Sequence, residues 1–430
     1  MRQRRALSRL AGPMVLAGLL LCARLVSAPA LYDPVAAAAP ASAYLKIPAT
    51  YLVLAPLFTL WDGVSMLSMS RLIGFLVGLL LLHLVWRVIA AVRRHRSRRT
   101  TASWWSHILR ETAYLAAAIA VLLGFVVIGA VWHRPMLSLA GTDPHDVVVD
   151  FHSHTNVSHD VRDTWMRGFD LEANRRWHSR AGFHAAFVTD HNTVAALAGD
   201  EAGHQRPAGS KRQAAICPGI EVSVWRAHIV LLGATGAVDR SRYKSFDGLL
   251  ALLAASDSAY GALSVASLPE YRRNHWGRLD QLASAGLDGF EIVNASPRAN
   301  ELTREETDTV IATAKAHNKF VVGVSDSHGW GATSMVWNLV GVSDGSAGNP
   351  CPAVLGQLRA GFPAVRIVER HRLRPDDWWP MWLTPLGVMW ETWRSMGWTL
   401  TVAWLVWIGL WAIRRRRKTR SHARPPLAGS

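Results

Sequence analysis

Short apolar runs of β type, most of them closed by or adjoining a histidine or a carboxylate, recur through the middle of this chain and limit how it can fold. Residues 147–149 (Val-Val-Val) lead into Asp150-Phe151-His152-Ser153-His154-Thr155, and His159-Asp160 follows. Residues 185–188 lead into Thr189-Asp190-His191-Asn192. Gly219-Ile220-Glu221 comes next, then His228 ahead of the run 229–231, and residues 320–324 lead into Ser325-Asp326-Ser327-His328-Gly329. In a barrel the carboxyl ends of the strands converge on one rim, so side chains far apart in sequence meet there. Imidazole and carboxylate at such positions are the donor types that hold divalent ions for hydrolysis.

Further strand-type runs at 262–265 and 290–293 alternate with helical patterns at 246–255 and 303–317. Thr303 and Glu306 have the spacing of a capping box. Repeated βα order with the chemistry placed after strands indicates an α/β barrel.

Charge and hydropathy divide the chain. Half of its 430 residues are apolar, yet 18% are charged. The net charge of +16 is confined to three tracts without acids: Arg2, Arg4, Arg5 and Arg9; five arginines within 93–99; and seven basic residues from Arg414 to Arg424. Each tract borders an apolar stretch, so the excess is a topology signal and not a nucleic-acid footprint; no nucleic-acid partner is expected. Residues 72–92 and 114–132 approach the roughly 20 residues a bilayer requires, and 398–413 form a Trp-rich third span. Residues 11–30 read either as a signal peptide or as a signal anchor. Residues 51–69 are apolar but interrupted by Pro56, Asp62 and Gly63, and either lie on the membrane or re-enter it.

Basic tracts stay on the cytoplasmic side. The span at 114 then leads out and the span at 398 leads back, which puts residues 134–395 on the periplasmic or extracellular side. The expected division is a membrane region at 1–133, a hydrolase domain at 134–375, and a final span with basic tail at 376–430. Cys22 lies in an apolar run, whereas Cys217 and Cys351 fall in the exported part, where one disulfide is possible.

The motifs quoted above resemble the PHP domain, named for polymerases and histidinol phosphatase, over residues 147–368 and outside the spans. The resemblance implies a distorted, TIM-like (β/α)7 barrel set between transmembrane helices. It implies two or three divalent ions (Zn, Mn or Fe), held by His152, His154, Asp160, His191, Glu221, His228, Asp326 and His328. Glu221 bridges two of them, and Asp160 is preferred over His159 as the acid after Ser158. Where the family has Ala-His-Pro, this chain reads Ala266-Ser267-Leu268-Pro269, so one histidine ligand is replaced by serine; His275, eight residues further on, is a candidate to substitute for it if the loop folds back, or to bind substrate. The implied activity is phosphoester hydrolysis by a metal-activated water on a small, anionic substrate, with Asp190 orienting a ligand. Arg272 and Arg273 are candidates to hold the anion, against a plain reading as surface arginines. Ester or amide hydrolysis is a second reading, and a non-catalytic metal- or anion-binding sensor a third. Glu291 and Asn294 either support the site or are structural. His145, His178, His184, His204 and His317 are read as structural.

Overall fold

The computed structural model describes residues 2–97, 104–162, 168–197, 213–342 and 349–421. The basic positions Arg98, Arg99 and Arg424, and His204, lie outside them. The strands are β1 Leu31–Tyr32, β2 Tyr44–Lys46, β3 Ser138–Ala140, β4 Asp146–Ser153, β5 Ala185–Val188, β6 Ala215–Val224, β7 Ala227–Leu232, β8 Leu263–Ala266, β9 Gly289–Asn294, β10 Phe320–Val324, β11 Val336–Gly341 and β12 Arg366–Arg370. Ten of them form one sheet in the order β1-β12-β11-β4-β5-β6-β7-β8-β9-β10, while β2 pairs with β3 separately.

That sheet curls back on itself. Beyond β10, Asp326 N donates to His152 O (3.0 Å) and His154 N donates to Ser327 O (3.0 Å), so the end of the last strand meets β4. Inside the curl, Asn338 of β11 donates through Nδ2 to Val149 O (2.9 Å) and Gly323 O (2.6 Å) and accepts from Gly323 N (2.8 Å). The core is filled by Val149, Phe151, Phe187, Ile220, Val265, Phe290 and Val322, with Leu249, Leu282 and Val310 packed from the flanking helices. Helix Arg304–Ala316 starts at the expected capping box: Thr303 Oγ1 accepts from Glu306 N, and Glu306 Oε2 accepts from Thr303 N. Cys217 of β6 is disulfide-bonded to Cys351.

The expectation of a (β/α)7 barrel is corrected to a curled, mixed α/β sheet. Alternation fails at β6 and β7, an antiparallel hairpin turned by Trp225-Arg226 with φ of 41° and 59°. Both positive angles are those of a two-residue type I′ turn, which Asn-Gly sequences usually signal; Trp-Arg carries no such mark. Strand β6 itself contains Pro218 and Gly219, which read as breakers. The sheet also continues past β4 through antiparallel β11 and β12.

Among the described residues, two helices are long and apolar enough to cross a membrane, Met69–Arg93 and Trp105–Gly129, and Leu10–Leu25 is a shorter apolar helix. The first starts at the sheet, where Met69 N donates to Pro297 O (2.7 Å). The second packs on helix Ala55–Ser65, with Trp61 Nε1 donating to Phe125 O (3.1 Å). Helices Arg2–Leu25 and Trp398–Ser421 run antiparallel: Arg24 donates to Arg394 O (2.6 Å) near the sheet, and Gly12 faces Trp411 and Arg415 toward the other end. At 1.5 Å rise per residue, Arg93 and Arg414–Arg416 therefore project from the side away from the sheet, as does the start of Arg2–Leu25.

Residues 51–69 fill the seam between these layers. Asp62, on helix Ala55–Ser65, is 1% exposed. It pairs with Arg134 (3.2 Å) and with Arg370 of β12 (3.0 Å), and accepts from the hydroxyls of Tyr51 (2.9 Å) and Thr333 (3.1 Å).

Candidate metal centre

Strand β4 carries His152 near its end and leads into His154. Two residues apart, both imidazoles face the same interior by plain alternation, with Nε2 atoms 3.0 Å apart. Asp160 comes from the short helix His159–Arg162, His191 from the turn after β5, Glu221 from β6 and His228 from the start of β7. A parallel bridge between His191 and Glu221 sets those two side by side. Asp326 and His328 come from the segment beyond β10. Asp326 has φ of 44°, a left-handed backbone that costs a non-glycine residue free energy and is held there by its neighbours.

Seven of these eight residues meet in three overlapping groups whose donor atoms lie within 4.8 Å of one another: His152, His154 and Glu221; His154, Asp160, His191 and His328; and His191, Glu221 and His228. Asp326 Oδ1 stands 3.1 Å from His154 Nε2 and 3.5 Å from His152 Nε2 and His328 Nδ1. Glu221 Oε2 is 3.2 Å from His152 Nε2, 3.1 Å from His191 Nδ1 and 3.5 Å from His154 Nε2, while Oε1 is 2.9 Å from His228 Nδ1. Asp160 Oδ2 is 2.6 Å from His328 Nε2 and 3.2 Å from His191 Nε2.

The donor set fits divalent ions. Metal bonds of about 2.0–2.1 Å in a tetrahedral site put neighbouring donors about 3.3 Å apart, close to the separations just given. Glu221 Oε2 is buried among three imidazoles without a hydrogen bond, and so is His191 Nδ1. A buried, unpaired carboxylate oxygen is costly unless something positive meets it. The electrostatics agree. Burial opposes charge on His152, yet Glu221, Asp326 and Glu291 outweigh it and hold its pKa well above the usual imidazole value. Burial, with the charge of His328, pushes His154 down to about 4. His328 is opposed by burial but raised to about 9 by Asp326 and Asp160. Burial likewise disfavours charge on Glu221, Asp160 and Asp326, and the surrounding imidazoles nevertheless hold all three below the normal carboxylate range.

A second layer fixes these groups. Glu291 of β9 is fully buried and accepts from His152 Nδ1 (2.7 Å), Leu268 N (2.9 Å) and Asn294 Nδ2 (3.0 Å). Asp190 accepts from Thr155 N (2.6 Å) and Thr155 Oγ1 (2.7 Å), so it anchors the loop between His154 and Asp160; burial raises its carboxyl to about 6. Asp150 points elsewhere, to Ser325 N (3.0 Å) and His178 Nε2 (2.8 Å), and holds the segment that carries Asp326. His178 is thus a structural partner.

The proposed anion-binding residues are placed differently. Arg272 is paired with Glu306 (2.9 Å), and both Arg272 and Arg273 approach Glu301. His275 lies near Trp225 O (3.2 Å) and stacks on Phe246, and it belongs to none of the three groups. Acids thus capture the guanidinium groups of Arg272 and Arg273, and His275 is buried. Ser267 turns its hydroxyl to Leu268 O and Glu291. One acid that sequence reasoning passed over faces the cluster: Glu270 Oε2 lies 3.8 Å from His228 Nδ1. Burial raises its carboxyl against the pull of His228. Nothing in the string Ser-Leu-Pro-Glu marks it.

No family model and no curated protein matches the chain. Among solved structures it is similar to a protein of Bifidobacterium adolescentis described as a candidate metal-dependent phosphoesterase, at 17% identity and a TM-score of 0.31 over 43% of this chain and 88% of that one. It is similar to PsfC of Pseudomonas syringae at 15% identity and 0.36, over 58% and 98%. It is also similar to the lesion-specific endonuclease PfuEndoQ of Pyrococcus furiosus at 14% identity and 0.35, over 54% and 60%.

Proposed function

We propose that this chain is a membrane-anchored, metal-dependent hydrolase of the PHP type that cleaves a small phosphoric ester on the periplasmic or extracellular side of its membrane. The observation that carries this reading is the convergence of five histidines and two carboxylates into three overlapping donor groups, with Asp326 against His152 and His154 beside them, from six separate places in the chain. Packing alone has no use for such a set: buried imidazoles and carboxylates stripped of water are costly unless paired or metal-bound. Two or three ions of the Zn, Mn or Fe kind suit donors of mixed nitrogen and oxygen.

Bound divalent ions supply Lewis acidity, which acidifies water to a nucleophile and neutralises charge on a phosphoryl oxygen. The chain's own part is to hold and orient. Glu221 presents Oε2 to one set of imidazoles and Oε1 to His228, joining two groups through one carboxylate. Glu291 takes the Nδ1 proton of His152 in a hydrogen bond, which leaves Nε2 as the donor facing Glu221. The topology reading is supported by basic helix ends on the side away from the sheet, and the Cys217–Cys351 bond suits an oxidising compartment.

The test is metal analysis of the full chain in detergent, followed by turnover of a chromogenic phosphomonoester and phosphodiester. Two or three ions per chain are expected, with activity abolished by chelation. His152→Ala should cost more than the roughly 10–100-fold that a lost supporting contact costs. Turnover of carboxyl esters alone would replace the reading by an esterase, and bound metal without turnover would replace it by a sensor.

A further inference from the structure

We propose that Glu270 is a ligand for the ion held by Glu221 and His228, supplying by carboxylate the donor that Ser267 does not. This rests on the metal-centre reading above. In the group formed by His191, Glu221 and His228, two members are shared: His191 also serves the group with Asp160, and Glu221 the group with His152 and His154. His228 alone belongs only here. A catalytic site of this kind keeps three protein ligands and an open position, so one more donor is wanted.

Glu270 is placed to be it. It heads the short helix Glu270–Asn274 that follows β8, the strand paired with β7 on which His228 sits. Donors on one ion lie at most about 4.2 Å apart, twice a bond of about 2.1 Å; Glu270 Oε2 and His228 Nδ1 are 3.8 Å apart, and Glu221 Oε1 is 2.9 Å from the same nitrogen. The arginines two and three residues on, which would otherwise neutralise Glu270, are directed to Glu301 and Glu306. Ser267 is turned to Leu268 O and Glu291, away from this role. Exchange of an imidazole for a carboxylate also hardens the site, favouring Mn²⁺ relative to a histidine-rich one.

The experiment counts ions. The full chain in detergent is loaded with Mn²⁺, freed of excess and measured by mass spectrometry of the metal, with thermal unfolding as the control for folding. Three ions are expected in the parent chain, two in Glu270→Gln and three in Glu270→His. Two ions in the parent chain, or three in Glu270→Gln, overturn the role of Glu270 and leave the metal centre standing; none in the parent chain overturns both. If Glu270→Gln unfolds, Glu270→His decides. About a ten-fold or larger gain in Zn²⁺ over Mn²⁺ occupancy is expected, and an unchanged ratio overturns the proposal.

Discussion

His152 touches both layers of the site with one ring, Nδ1 on Glu291 and Nε2 toward Glu221 and His154. That geometry is why its proton is hard to remove from the metal-free molecule, and the same holds for His328 at about 9. His154, at about 4, is uncharged near neutrality. An ion binds only the neutral imidazole, so each raised histidine must release a proton first. Loading at pH 7 should therefore release at least about two protons per chain, and affinity should fall as the pH falls below 9. Titration calorimetry in buffers of different ionisation enthalpy measures this directly; release near zero would contradict the charges assigned to His152 and His328. At this scale the sequence was highly legible. His-x-His, Asp-His and Asp-x-His follow strand-like runs, and residue type alone states their donor chemistry and that of Glu221. Glu270 was not legible, nor were the partners of Glu291 and Asp150, because an acid has the same appearance whether it faces a metal group, an imidazole or a serine.

Among the elements, the helix Ala55–Ser65 carries more of the architecture than its length suggests. Its Asp62 pairs with Arg134 and Arg370 in a buried seam. Asp62→Ala would strand two buried guanidinium groups, and breaking a buried pair from one side costs about 3–5 kcal/mol. Thermal or denaturant unfolding of the variant should show a loss of that size; a loss under about 1 kcal/mol, the worth of an exposed pair, would mean the seam is wet. Local pattern located β4, β5, β7, β8, β9 and β10 and the cap at Thr303. It did not locate β6, interrupted by Pro218 and Gly219, nor β11 and β12, which no donor residue announces. The place of residues 51–69 was undecidable for a similar reason: an apolar stretch holding one aspartate looks alike whether its partner is water or an arginine 308 positions away.

For the whole molecule, the helices and the curled sheet put chemistry and charge at opposite ends. The donor groups sit in the sheet layer, and the arginine-rich ends project from the far side of the helices. On the proposed topology, a membrane-impermeant maleimide should label Ser258→Cys in intact right-side-out membranes, and Thr419→Cys only after permeabilisation. The reverse pattern would invert the orientation. By itself the amino-acid sequence determined the donor types, the apolar spans, the basic borders and the strand-like runs, since each is a property of neighbouring residues. Only the tertiary structure decided that β6 and β7 fold into a hairpin, that the sheet has ten strands, that Arg272 and Arg273 are spent on Glu301 and Glu306, and that Cys217 meets Cys351. Those outcomes depend on which groups come within a few ångströms of one another, and nothing short of the packed chain sets that distance.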